Sequence, residues 1–325
     1  MGASHTKVID LKSAIETYVP DGAHISIGGF TINRNPMAAV YEIIRQHKKG
    51  LHLYAHSNGQ GVDELIGAGC VARLEIAYAG SGRFAPTCIR FRKAIERGDI
   101  GFEDYSNYQM TLRFMAGAMG VPFLPTRSGL GTDLIRQWGF QKTERQNDIK
   151  LPDEKLVVLD NPFGTWADTP KVVLVPAINP DVTIIHVQKA DADGLSRING
   201  LPFVDVEQAK ASRHLIVTCE ELVDTDELKS DPDRNQVPPF CVDAVVHVPW
   251  GAFPTACFGR YDYDPAYLNH YKQDAADDIR YKKYLQNFIY GPETHEQLLA
   301  KINPAQLDAI RADERTGYAT GLDRR

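Results

Sequence analysis

Short β-branched runs alternate along this chain with stretches of helical periodicity, the pattern of a layered α/β fold. Leu11 to Tyr18 predicts an opening helix, and His24 to Ile27 a short strand that ends in Gly28-Gly29-Phe30. Pro36 starts a helical run from Met37 to Gln46, which Gly50 stops. Leu51 to Ala55 predicts the next strand, followed by the loop His56-Ser57-Asn58-Gly59-Gln60-Gly61 and a helix from about Val62 to Ile66. A third strand, Arg73 to Tyr78, runs into Ala79-Gly80-Ser81-Gly82. Successive strands that finish in glycine turns are expected to be parallel, with their carboxyl ends opening on one crevice.

Helices are predicted from Thr87 to Arg97 and from Tyr108 to Met119, separated by Phe102-Glu103-Asp104-Tyr105-Ser106-Asn107. Residues 126–153 are glycine-punctuated and charged, the composition of a lid or excursion. Five further apolar runs follow: Val157 to Leu159, Val172 to Val175, Val182 to Val187, His214 to Thr218 and Ala244 to Val248. Ala209 to Ser212 falls on a crossover helix, and Asn269 to Asn287 and Pro292 to Arg311 read as closing helices before a polar tail. Residues 1–325 are therefore expected to form a single domain with a C-terminal helical extension at 265–325.

Composition narrows the function. Thirty-six basic against 42 acidic residues give a net charge of −6, without the basic stripe that a nucleic-acid partner requires. Five cysteines with no CxxC pair argue against a disulfide framework or a structural zinc site, and point to a reducing cytoplasm. Met1 to Lys12 lacks an apolar signal core, and no stretch is long and apolar enough for a bilayer, so no membrane association is expected.

No GxGxxG or GxxxxGK[ST] loop and no GxSxG elbow is present, which disfavours nicotinamide, nucleotide-triphosphate and serine-hydrolase chemistry. Gly28-Gly29 at a strand end has the makings of a pair of free backbone N–H groups for an oxyanion, against the plainer reading of a turn. Ser57-Asn58-Gly59, Gly80-Ser81-Gly82 and Ser128-Gly129-Leu130-Gly131 repeat the same small-residue theme. Glu103 and Asp104 are adjacent and cannot both enter one pocket, and Ser106 is placed to cap the following helix. His186 and His247 lie in apolar strands as expected core residues, and His56, beside the glycine loop, is the histidine with a candidate functional role. Asp191-Ala192-Asp193-Gly194 lacks the downstream glutamate of a calcium loop and reads as a surface turn, so no metal is expected.

Several segments together resemble the α subunits of family I CoA-transferases, that of glutaconate CoA-transferase most of all. They include Gly28-Gly29-Phe30 with Pro36, Leu65 to Gly69 followed by Val71, Arg90 to Lys93, and Glu103 to Ser106. Pro122 to Pro125, Asp160 to Phe163, Thr218 to Glu221, Cys241 to Val246, Gly251-Ala252 with Pro254, and Tyr261 to Asp264 continue the resemblance over most of the chain. The resemblance implies an open, mostly parallel α/β sheet with helices on both faces, and an active site where α and β subunits meet. It also implies a covalent mechanism in which a β-subunit glutamate attacks an acyl-CoA thioester and passes CoA to a carboxylate. Ser57 stands at the position like that of the glutamate, so no nucleophile is expected in this chain. Gly28, Gly29, Phe30, His56, Ser57, Asn58, Gly59, Gly80, Ser81, Asn107, Ser128, Gly129, Leu130 and Gly131 are then the substrate-binding candidates.

Coenzyme A enters this picture as a substrate thioester, with no permanently bound cofactor, and the partner is a β subunit in an α2β2 or larger assembly. Members of the same fold resemble ring-opening hydrolases of steroid-derived CoA thioesters or acyl-CoA decarboxylases. In the hydrolases the α chain supplies a glutamate that aligns close to Asn107, which leaves Glu103 as the candidate if this chain is hydrolase-like. A subunit that only stabilises its catalytic partner is the third reading.

Overall fold

The structure, a computed structural model, describes residues 6–324. Its first part alternates strictly: α1 (Leu11–Tyr18), β1 (His24–Ile27), α2 (Met37–Arg45), β2 (Leu51–Asn58), α3 (Gln60–Gly67), β3 (Val71–Ala79), α4 (Ile89–Arg97), β4 (Gly101–Asp104), α5 (Asn107–Met119). The middle holds β5 (Phe123–Thr126), α6 (Lys142–Gln146), β6 (Val157–Asp160) and β7 (Lys171–Pro176). Then come β8 (Val182–Ala190), β9 (Ser196–Arg197), α7 (Asp205–Ala211), β10 (His214–Leu222), α8 (Thr225–Lys229) and β11 (Ala244–His247). The chain closes with α9 (Pro265–Ala275), α10 (Asp278–Tyr284), a π-helical stretch Leu285–Tyr290, α11 (His295–Leu299) and α12 (Pro304–Ile310).

The main sheet runs β11-β10-β8-β1-β2-β3-β4 with every neighbouring pair parallel, and short β9 adds antiparallel to β8. The chain travels outward from β1 through β2, β3 and β4, then returns to β8 on the other side of β1 and travels outward again. Between β1 and β8 the strand order reverses, the place where open α/β sheets bind ligands beyond their carboxyl ends.

Alternation along the strands assigns the faces. Ile25, Ile27, Leu53, Ala55 and Ile184 join one large core with α1 to α4 and the C-terminal helices. Ile185, Val187, Leu215 and Val217 point to the opposite face and pack with Ala209 of α7. On that same face, β1 to β4 carry His24, His52, Glu75 and Glu103 instead of apolar residues, all buried.

Several expectations changed at this level. Val157 to Leu159 and Val172 to Val175 do form strands, but they lie in a separate three-stranded antiparallel sheet, β5-β7-β6, in which β7 pairs with both β6 and the unforeseen β5. Pro125 and its exposed neighbours gave β5 no strand signature. The glycine loop after β2 contracts to Gly59 alone, because the strand extends through Asn58 and α3 begins at Gln60. His186 is buried and satisfied by Thr218 and Glu220, whereas His247, at the end of edge strand β11, is exposed. Among the described residues no helix is long and apolar enough to cross a membrane.

Candidate active site

Parallel pairing delivers the carboxyl ends of β1, β2, β3 and β8 to one side of the sheet. After β1, the N–H of Gly28 donates to Ile184 O at 2.9 Å, that of Gly29 to Asp205 Oδ1 at 2.9 Å, and that of Phe30 to Asn33 O at 2.8 Å. The expected pair of free N–H groups at Gly28-Gly29 is thus corrected, since the sheet and α7 consume both. Gly29 has φ 87°, and a Cβ there would lie 2.7 Å from the Arg34 carbonyl, so the turn demands glycine. Thr31 (φ 51°) and Arg34 (φ 48°) also sit in the left-handed region, which is uncommon for residues with side chains and costly for a β-branched one.

Asp205, at the start of α7, holds this strained turn. Its second oxygen accepts from Arg34 Nη2 at 3.0 Å, and Arg34 also donates to the carbonyls of Leu201 and Pro202. Both side chains are buried, at 0 and 4% exposure. The turn carries the Phe30 ring between Phe203, stacked at 4.9 Å, and His56, tilted at 5.7 Å. On the Phe203 side lies a cavity of about 210 Å³, lined by Arg34, Asn199, Phe203, Phe258, Tyr261 and Tyr318 among others.

On the other side of Phe30 stands the end of β2. Ser57 is fully buried, and its hydroxyl donates to the amide oxygen of Asn107 at 2.5 Å, so its partner is an acceptor with no basic character. Asn58, also buried, donates to Gly28 O at 3.0 Å and accepts from Val62 N at 3.2 Å, which ties the end of β1 to the start of α3. Gly59 admits no side chain: a Cβ would fall 2.6 Å from both Gly80 O and Ser81 Oγ. His56 Nε2 lies 3.1 Å from the carbonyl of Asn107 and 3.1 Å from Thr111 Oγ1. A carbonyl only accepts, so Nε2 carries the proton and Nδ1 is bare, buried and without a partner among the described residues. Burial lowers the His56 pKa, which keeps the ring neutral at pH 7.

The N-terminus of α5 completes the cluster. Ser106 and Gln109 form a reciprocal capping box, as the sequence led one to expect of Ser106. Ser106 Oγ meets Ser128 Oγ at 2.8 Å, and Gln109 Nε2 donates to Ser128 O at 3.0 Å, so the 128–131 loop lies against the helix start that bears Asn107. Gly129 and Gly131 adopt positive φ there, while Leu130 packs with the core under α5. The capping box uses the N–H groups of Ser106 and Gln109, which leaves those of Asn107 and Tyr108 at the positive end of the helix dipole.

Glu103 belongs to a different environment. Its oxygens accept from Arg145 at 2.6 and 2.5 Å, from Gly139 N at 3.0 Å and from Tyr105 OH at 2.8 Å, all within the buried face of β4. Asp104 points the other way, to Lys155 at 3.3 Å. Asp205 and Phe203 escaped the sequence reading, since an acidic residue opening a helix looks like a dipole complement and its partners lie some 170 residues away.

Residues 8–248 match the coenzyme A transferase family. The α subunit of glutaconate CoA-transferase from Acidaminococcus fermentans is 39% identical over 96% of this chain and 97% of its own. The crystal structure of that enzyme superposes with a TM-score of 0.93 over 98% of this chain and 99% of that one, at 38% identity. The corresponding subunit of a 3-oxoadipate CoA-transferase from Pseudomonas knackmussii is 32% identical over 91% of this chain and 98% of its own. A variant of the decarboxylase AibA/AibB superposes with a TM-score of 0.70 at 31% identity, over 87% of this chain and all of that one.

Proposed function

The chain belongs to the coenzyme A transferase family, and on that premise we propose that it is the α subunit of a two-subunit enzyme whose partner supplies the nucleophile. The reaction moves CoA from an acyl-CoA to a carboxylic acid. A partner glutamate displaces the CoA thiolate from the acyl-CoA to form a mixed anhydride, the thiolate attacks the glutamyl carbonyl and releases the donor acid to leave a glutamyl-CoA thioester, and the acceptor carboxylate reverses both steps to depart as the new acyl-CoA. The observation that carries this reading is the Ser57–Asn107 hydrogen bond: at the end of β2 the chain presents a hydroxyl with no base to activate it.

The work left to this chain is positioning and charge stabilisation. Phe30, braced by Phe203 and His56, forms an apolar wall that excludes water from one side of the reacting centre. Charge on an acyl oxygen or an acceptor carboxylate is met by the outward N–H groups and amide of the α5 start, with the Ser128 to Gly131 loop beside it. Gly59, Gly80 and Ser81 keep the neighbouring strand ends close enough to share that pocket. The hydrolase-like alternative assigned Glu103 to catalysis, and its enclosure by Arg145, Tyr105 and the Gly139 amide favours a structural role instead.

The partner, its α2β2 or larger assembly and a cytoplasmic location remain part of the proposal. Mixing the chain with the β subunit and assaying CoA exchange between two acids tests it. Exchange that needs both chains supports the transferase, and turnover of an acyl-CoA without an acceptor acid, read by mass as added water or lost CO2, supports a hydrolase or decarboxylase.

A further inference from the structure

We propose that His24, His52 and Asp148 form a binding site for one divalent transition-metal ion of the zinc class, independent of the transferase site. The three residues come from the amino-terminal ends of β1 and β2 and from the segment after α6, and their candidate ligand atoms all lie within 4.8 Å of one another. The histidine rings stack at a centroid distance of 4.3 Å, with both residues buried.

The hydrogen bonds around them have the form that orients metal-binding imidazoles. His52 Nε2 lies 2.8 Å from Glu75 Oε1, and a carboxylate can only accept, so Nε2 carries the proton. Arg113 Nη1 lies 2.5 Å from the other oxygen of Glu75 and pairs with it as an ion pair. His52 Nδ1 is therefore a bare lone pair inside the protein, with no donor to satisfy it among the described residues. A buried lone pair without a partner is unfavourable, and coordination relieves it. His24 offers Nε2, 3.1 Å from Asp148 Oδ2, while its Nδ1 lies 2.8 Å from the Tyr54 hydroxyl. On binding, the His24 proton moves to Nδ1 and donates to Tyr54, the outer partner expected of a ligating imidazole.

Two imidazoles and a carboxylate suit zinc, cobalt or nickel rather than magnesium or calcium. The Arg73 guanidinium now supplies positive charge to Asp148 and stands 3.5 Å from His24 Nε2. With its side chain 23% exposed at the edge of the cluster, Arg73 is the group that the ion displaces toward solvent. The other buried cluster of this type, His186, Glu220 and Cys257, differs on this point. Both His186 nitrogens are engaged by Thr218 and Glu220, and Glu220 is further engaged by Tyr261 and the Trp250 N–H, so no free lone pair remains on the imidazole. Coordination would pin the segment carrying Asp148 to β1 and β2.

The test is calorimetric titration of Zn²⁺ into the chelator-treated full chain at pH 7.5, repeated on His52→Ala and Asp148→Asn, with Co²⁺ absorption as a check on nitrogen and oxygen coordination. One equivalent that binds at least about tenfold more weakly in each variant, and more tightly in Arg73→Ala, is the expected result. The absence of saturable binding, or binding that either variant leaves unchanged, overturns the site. Asp148→Asn keeps the reading clear should His52→Ala disturb the fold, because Asp148 lies partly exposed in a connecting segment.

Discussion

Asp205 holds Gly29: one carboxylate oxygen accepts the Gly29 N–H at 2.9 Å while the other accepts from the Arg34 guanidinium at 3.0 Å. Asp205→Asn removes the charge from this buried pair and leaves Arg34 facing a neutral amide. Loss of one partner of a buried ion pair typically costs about 3 to 5 kcal/mol. Urea unfolding should show a loss of that order, and CoA exchange by the assembled enzyme should fall with it as the Phe30 turn loosens. Unchanged stability would mean that the turn holds its left-handed residues without Asp205.

Ser57→Ala deletes a hydroxyl whose partner is the Asn107 amide. A neutral hydrogen bond contributes roughly 1 kcal/mol, so turnover of the complex should stay within about tenfold of the parent. A fall in kcat of about 10⁴ or more, the scale seen when a nucleophile is removed, would make Ser57 catalytic.

Glu103→Gln should act on folding before chemistry. It weakens the two contacts to Arg145, both side chains being almost fully buried, and leaves that guanidinium undercompensated. The melting temperature should drop by several degrees, with residual activity tracking the folded fraction. A stable variant with turnover abolished would point back to the hydrolase-like role.

The alternation of β1, β2, β3, β8, β10 and β11 with helices, and the glycine strand ends, were legible because each rests on local signals: β-branched runs, helical periodicity, and the serine that caps α5. What those ends touch was not. Asp205 and Phe203 reach the β1 turn across the β1/β8 switch point, and no spacing in the sequence encodes that encounter. The free amides expected at Gly28-Gly29 failed for the same reason, since their acceptors lie on β8 and α7. The polar row on β1 to β4 has no local signal either, since the groups that satisfy it come from α5 and the 139–148 segment.

Glu64 gives the chain a pH signature. It is fully buried among Tyr41, Tyr284 and Gln60, with no cation bonded to it among the described residues, and burial raises its pKa from 4.5 to about 8. The folded state thus holds a proton that the unfolded state has released above its own pKa. This contribution is complete below about pH 4.5 and is lost as pH rises through 8. Glu64→Gln keeps the shape without the charge, so its stability relative to the parent should rise with pH by up to about 1.4 kcal/mol per unit between roughly pH 5 and 8. Parallel stability curves for the two proteins would show that Glu64 does not titrate in this range.

The division of labour between the two chains is tested most directly by trapping the covalent intermediate. The complex is incubated with an acyl-CoA, reduced with borohydride or cleaved with hydroxylamine, and each chain is weighed by mass spectrometry. The modification should fall on a glutamate of the partner, with this chain unmodified both in the complex and alone. An adduct on this polypeptide, at Ser57 or anywhere else, would contradict its place as the non-nucleophilic wall of a shared site.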